Sequence, residues 1–322
     1  MELAQIVMYA GFFMAAYSVV ANDSIQTLGT FLSSNSKRHW IILWAFAASI
    51  LTATLVYGWL QYGGDVSYGR LEKYKMPQNF AWYYLLPPMI LVLLTRTGIP
   101  VSTSFLILTF FNEKNLMNMV EKSLLGYAVA FGAAILIYVL ITRLVESRFL
   151  KNKIKENERK VWTVLQWCST GFLWSQWLIQ DFANIYVYLP RQLTVWELLI
   201  SLGVILSMLA YIVASKGGAI QKIVQSKTNM IDIRSATIID AVYGVVLFYF
   251  KEMNNIPMST TWVFIGLLAG REIAINLMLG ERAKRKGMLK NISLDLTKVT
   301  LGLVISILLV FLVKYFSEGT FG

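Results

Sequence analysis

The chain holds a single cysteine, Cys168, in 322 residues. One thiol cannot build a disulfide framework, and its apolar surroundings read as those of a small packed side chain, not a redox centre. Charge is scarce as well: 15% of residues are charged and 57% hydrophobic, with a mean hydropathy of +0.58. No soluble domain hides that much apolar surface. The alternating ten-residue segments of a membrane β-barrel are missing. So are the basic leader and small-residue cleavage site of a signal peptide, since only Glu2 precedes the first apolar run. That run is expected to be a first span, with no soluble domain appended.

What the chain does have is apolar length. Leu3 to Val20, Trp40 to Leu60, Leu124 to Leu144, Trp196 to Ala214 and Val299 to Val313 approach or reach the ~20 residues that a helix needs to cross ~30 Å of hydrocarbon. The fold class is therefore an all-α polytopic membrane protein, with the lipid bilayer as its first partner. The formal net charge of +11 does not indicate nucleic acid, because the basic residues gather in short loops at 143–160, 216–234 and 282–290. The positive-inside bias places these loops in the cytoplasm. The first-half loops at 63–78 and 112–122 are close to neutral, so equivalent loops face opposite sides. This is the expectation for inverted-topology repeats, with an odd number of crossings in each half and both termini outside. The location expected is a cell membrane, of the prokaryotic inner-membrane type.

Two short polar motifs, each embedded in apolar sequence, occur twice. ANDSIQ at 21–26 is answered by IQDFAN at 179–184, and IPVSTS at 99–104 by IPMSTT at 256–261. Asp23 and Pro100 are 77 positions apart, Asp181 and Pro257 76. The chain thus divides into a first repeat at 1–150, a basic cytoplasmic linker at 151–160 and a second repeat at 161–322. Each half is expected to hold a span, a short motif-bearing segment, another span, two short segments meeting at the Pro-Ser-Thr motif, and a last span.

Proline at positions 100 and 257 should end one helix and open the next. The stretch from Pro100 to Glu113 is too short to cross a bilayer, so a half-helix is expected, meeting its counterpart near the midplane. Such helix N-termini present free N–H groups and a positive dipole end, which suit an anion. Ser102, Thr103 and Ser104, with Ser259, Thr260 and Thr261, add hydroxyl donors at the same points. Hydroxyls that only bond back to their own helix are the plain alternative, but the repetition behind proline and aspartate favours a site. Carboxylates at Asp23 and Asp181 would cost ~2.5 to 3.5 kcal/mol in mid-bilayer and persist mainly at ion pathways. Asn22 and Gln26 flank the first, Gln180 and Asn184 the second, giving amide, acid and amide on one helical side. The cluster offers oxygen ligands to a hard cation or an acid that shares a proton; cross-helix structural bonding is the alternative.

Arg271 and Glu272 are read as a snorkelling or locally paired couple near the basic loop, Arg96 as a minor source of positive potential, and His39 as an interfacial anchor. A proteolytic aspartate dyad would leave both hydroxyl triplets and the amides unused, and neither aspartate lies in a GxGD context, so no enzyme is expected. An ion channel or a non-transporting membrane receptor uses a buried ion site equally well.

The four motifs resemble those of the PiT inorganic phosphate transporter family, whose members carry sequences close to GANDVANAFGT and PVSTTH in each half. Here they read VANDSIQTLGT at 20–30, PVSTSF at 100–105, IQDFANIYV at 179–187 and PMSTTW at 257–262. The resemblance implies a cation-coupled symporter of inorganic phosphate or a similar tetrahedral oxyanion, sulfate-permease-like relatives included, coupled to sodium or protons without a cofactor. It implies substrate contacts at Asp23, Ser102, Thr103, Ser104, Asp181, Ser259, Thr260 and Thr261. Asn22, Asp23, Gln26, Gln180, Asp181 and Asn184 would form the coupling-ion shell, with sodium at the two aspartates; a homodimer is compatible with it. The departures are Val20 and Ile179 for glycine, Gln26 and Gln180 for asparagine, Phe105 and Trp262 for histidine, and Val187 opposite the retained Gly29. All enlarge side chains around the site.

Overall fold

The computed structural model describes residues 2–97, 102–112, 116–141, 154–217, 233–253, 259–279 and 285–319. Among these the regular structure is helical. The first half comprises α1 (Leu3–Ser34), α2 (Trp40–Gln61), a 3-10 turn (Trp82–Leu85), α3 (Leu86–Thr97), α4 (Thr103–Phe111) and α5 (Leu116–Ile141). The second comprises α6 (Glu156–Tyr186), α7 (Val195–Ala214), α8 (Ile233–Met253), α9 (Thr260–Leu279) and α10 (Arg285–Gly319). Among the described residues five helical stretches are long and apolar enough to cross a membrane: α1, α2, Met117–Ile137 in α5, α7, and Ile292–Leu309 in α10. The protein is thus a polytopic helical membrane protein, its spans overlapping the apolar runs of the sequence. Pro100 and Pro257 lie outside the described residues, as do parts of the three basic loops. The stretch at 151–160 is partly helical, since α6 begins at Glu156.

The first aspartate motif was expected on a short segment of its own, but it sits inside the 32-residue α1, and the second inside the 31-residue α6. The reason is local. Neither motif contains glycine or proline, so nothing removes or distorts a backbone hydrogen bond. The hydroxyls of Ser24 and Thr27 bond back to the carbonyls of Val20 and Ser24, which satisfies them within the helix.

Helices α1 and α6 run antiparallel side by side. Phe12 meets Tyr186 at 6.0 Å between ring centroids, while Phe31, further along α1, meets Trp167, earlier in α6, at 5.2 Å. Trp174 and Trp177 stack at 4.9 Å, and the Trp174 indole N–H donates to the Ala47 carbonyl on α2 at 3.0 Å. In lipid, such close packing and interhelical bonding replace the hydrophobic drive of water. Gly266 and Gly270, four apart on α9, let that helix lie directly on α5. A Cβ at Gly266 would fall 2.6 Å from the Tyr127 carbonyl oxygen, and one at Gly270 closer still to that of Phe131.

Helix α4 has half-helix length, at 9 residues. Its second-half counterpart α9 runs for 20 residues and α8 for 21, against 12 for α3, so the expectation of short segments fails in the second half. Asn112 stops α4: its backbone turns extended and its side-chain amide donates to the Lys73 carbonyl at 2.7 Å. Nothing comparable interrupts α9, whose glycines keep it seated on α5.

The segment at 62–80 folds over the end of the molecule where α2 and α6 both finish. Asp65 accepts bonds from the Ser67 amide and hydroxyl and the Gly69 amide at 2.6 to 2.9 Å. Gly64, at φ +97°, lies against the Leu193 backbone and its carbonyl accepts from the Leu193 amide at 2.9 Å; a side chain there would be strained. Arg191 donates twice to the Tyr74 carbonyl, at 3.1 and 2.8 Å. Cys168, expected to be packed, is exposed on the outer face of α6.

Candidate functional site

The structure brings the two motif pairs together. All twelve residues singled out from them are buried, none more than 3% exposed. The hydroxyl triplets open α4 and α9, and their first residues cap these helices: Ser102 Oγ accepts from the Phe105 amide at 3.2 Å and Ser259 Oγ from the Trp262 amide at 3.3 Å. Each cap satisfies an amide that the helix start leaves orphaned. The middle residues serve the carboxylates. Thr103 donates to Asp23 Oδ2 at 2.6 Å and Thr260 to Asp181 Oδ2 at 2.9 Å.

The amides three residues after each aspartate tie one half to the other. Gln26 Nε2 donates to Asp23 Oδ1 at 3.3 Å and to Thr261 Oγ1 at 3.4 Å. Asn184 Nδ2 donates to Asp181 Oδ1 at 2.5 Å and to Thr103 Oγ1 at 3.0 Å. Each amide thus holds its own aspartate and a hydroxyl from the opposite half. Asn22 adds a bond to Asp23 Oδ1 at 2.6 Å. Its counterpart Gln180 is buried beside Asp181, yet among the described residues neither its Nε2 nor its Oε1 has a partner, so Gln180 stands outside the hydrogen-bonded network.

The unmatched atoms fall into two chemical sets. Gln26 Oε1 and Asn184 Oδ1, next to the two carboxylates, are buried acceptors without a donor among the described residues. Carboxamide and carboxylate oxygens form the ligand set of a hard cation, so these residues fit a sodium ion. Ser104 Oγ, Gln180 Nε2 and Trp262 Nε1 are buried and lack hydrogen-bond partners among the described residues, and the last belongs to the residue at the histidine position of the resembling motif. Buried donors left unmatched are costly, and they match an acceptor-only anion. Tyr243, whose hydroxyl donates to the Thr260 carbonyl at 3.1 Å, packs at the start of α9.

Arg96 is exposed and lies outside the site; Arg271 and Glu272 are half-buried on α9. Three buried charged residues escaped the sequence analysis; one, Arg234, 5% exposed at the start of α8, had been assigned to a basic loop. Asp240 on α8 is 1% exposed and accepts bonds from Thr30 on α1, at 2.6 Å, and from Thr170 on α6. A lone carboxylate in the apolar run IIDAV was its signal. Arg70, in the segment between α2 and α3, is 4% exposed, and its Nε and Nη1 lack acceptors among the described residues. Burial pushes its guanidinium down to about 10, with the Asp181 carboxylate acting in the opposite direction.

No family model matches the sequence, and no curated protein matches it. A solved structure does: a chain described as "The sodium-dependent phosphate transporter" aligns with 98% of this chain and 100% of its own length, with a TM-score of 0.65 and 18% identity. This chain has the fold of a sodium-dependent phosphate transporter. At that identity the likeness establishes architecture, and function has to be argued from the site. Within this transporter fold the four sequence motifs converge on one buried cluster.

Proposed function

We propose that the protein is a secondary active transporter that carries inorganic phosphate, or a similar tetrahedral oxyanion such as sulfate, together with a cation, sodium first and protons as the second reading. The observation that carries this is the reciprocal network in which Gln26 and Asn184 each join their own aspartate to a hydroxyl of the opposite half. Among the described residues, donors without acceptors and acceptors without donors occur in the same cluster, which suits an anion and a cation bound together. Two carboxylates in one buried site repel a bare anion, so a cation bound first makes anion binding favourable. Coupling then follows from electrostatics alone.

The repeats at 1–150 and 161–322 are taken as inverted halves that alternate access around the site. The antiparallel pairing of α1 and α6 and the matched bonding of the two motif pairs support this. With the basic loops in the cytoplasm, both termini and the segment at 62–80 lie outside. An aspartate dyad of a protease would not need the two capped hydroxyl triplets, and no catalytic role is proposed.

The test is uptake of radiolabelled phosphate into proteoliposomes under imposed sodium or proton gradients, with sulfate and arsenate as competitors. Concentrative uptake driven by one gradient and blocked by unlabelled phosphate is the expected result. Sealed, correctly loaded vesicles that accumulate none of the three anions under either gradient would overturn the proposal; a gradient-independent conductance would move the reading to a channel.

A further inference from the structure

The loop at 63–78 was read as near-neutral, but the segment at 62–80 that contains it holds Arg70 buried. The turn that carries it is firmly built: Asp65 organises Ser67 and Gly69, the backbone of Arg70 donates to the Ser67 carbonyl at 3.2 Å, and Val66 before it and Leu71 and Tyr74 after it are buried. Arg70 itself is 4% exposed, and its Nε and Nη1 meet no acceptor among the described residues. A guanidinium stays charged at neutral pH and offers a planar fork of donors matched to oxyanions. A buried guanidinium whose Nε and Nη1 meet no acceptor is a poor structural device, since that part of it is desolvated without compensation. The segment is tied to the chain that follows α6, Gly64 accepting from the Leu193 amide and Tyr74 from Arg191, and Asp181 of the candidate site lies within the last turns of that helix, which ends at Tyr186; beside Asp181 stands Gln180, whose side-chain amide is also unmatched among the described residues.

We propose that Arg70 is the residue that meets the anion's charge, closing the site from the end where α2 and α6 finish and selecting for a doubly charged oxyanion. This deepens the proposed transport function and rests on it. When the site is loaded, the oxyanion accepts from the Arg70 fork while the cation sits at the aspartates, so the charges alternate instead of crowding.

The experiment compares wild type, R70K and R70Q in proteoliposomes and as purified protein, with inorganic phosphate as the probe. R70Q is expected to raise the phosphate KM at least tenfold and to lose the stabilisation against heat that phosphate gives. Its Tm without phosphate should not fall below that of wild type, because a desolvated guanidinium with two donors lacking acceptors has been removed. R70K keeps a point charge but not the fork and should fall between the two, at a KM raised at least threefold. If R70Q cannot be recovered folded, R70K decides: a raised KM with unchanged ligand-free stability supports the assignment, and a wild-type KM overturns it. A folded R70Q with wild-type KM also overturns it, as does a fall in ligand-free Tm without change in KM, which would make Arg70 structural. In both cases wild-type uptake leaves the transport reading standing; a wild type that carries no phosphate, sulfate or arsenate brings down both.

Discussion

Thr103 and Thr260 occupy matched positions but do unequal work, and this inequality can be measured. Among the described residues Thr260 makes one side-chain bond, to Asp181. Thr103 makes two, donating to Asp23 and accepting from Asn184. Valine keeps the shape of either side chain while removing the hydroxyl. Thr260→Val deprives one carboxylate oxygen of its donor, and a hydrogen bond to a charged group is worth about 1.5 to 3 kcal/mol, roughly 10- to 150-fold in an equilibrium constant. Thr103→Val loses the equivalent bond and also the neutral bond from Asn184, a further ~1 kcal/mol, or about fivefold. The assay is the sodium concentration giving half-maximal phosphate uptake in proteoliposomes, with the melting temperature of the purified variants as a check on folding. Thr103→Val should therefore need more sodium than Thr260→Val, which in turn should need more than wild type. If both variants are folded and Thr260→Val is equally or more damaging, the reasoning that Thr103 bridges the halves is wrong.

Asp23→Asn and Asp181→Asn should each abolish gradient-driven uptake while leaving a folded protein in the membrane; coupled transport at wild-type rates by both would refute a carboxylate-held cation. Sodium at about a hundred times its Kd should stabilise the wild type by ~2.7 kcal/mol, visible as a rise in melting temperature that choline does not give and that Asp23→Asn loses; equal melting with either salt counts against the cation site. Gly270→Ala places a methyl group against the Phe131 carbonyl and should cost about 1 to 3 kcal/mol by overpacking. Gly203→Ala, with open space around the added carbon, is the control, and equal melting of the two variants would mean that α9 does not rest on α5 as described.

The spans were legible because lipid demands continuous apolar length, and the site because its polar residues break that length twice at matched spacing. What repetition exposes, it also conceals. Asp240 breaks an apolar run just as Asp23 does, but it has no partner at repeat distance, so a search for matched motifs passes over it. Arg70 is harder to read, since an arginine in a polar connection between spans looks solvated until the fold buries it. The lengths of α4 and α9 were not legible either. Both follow a hydroxyl triplet with apolar sequence, and what separates them is tertiary: the contact of Asn112 with the Lys73 carbonyl in one case, the seating of Gly266 and Gly270 on α5 in the other. Cys168 was misread because an apolar neighbourhood in a membrane protein describes the lipid-facing surface as well as the interior.

The crossed bonds of Gln26 and Asn184 bear on how such a chain changes over generations. Each half borrows a hydroxyl from the other, so neither can drift freely at these positions. An asparagine that becomes a glutamine in one half shifts its reach toward a threonine encoded more than two hundred residues away. Substitutions here are expected to be inherited in pairs, and a gene split into its two halves would have to keep both products in the same membrane to retain a complete site.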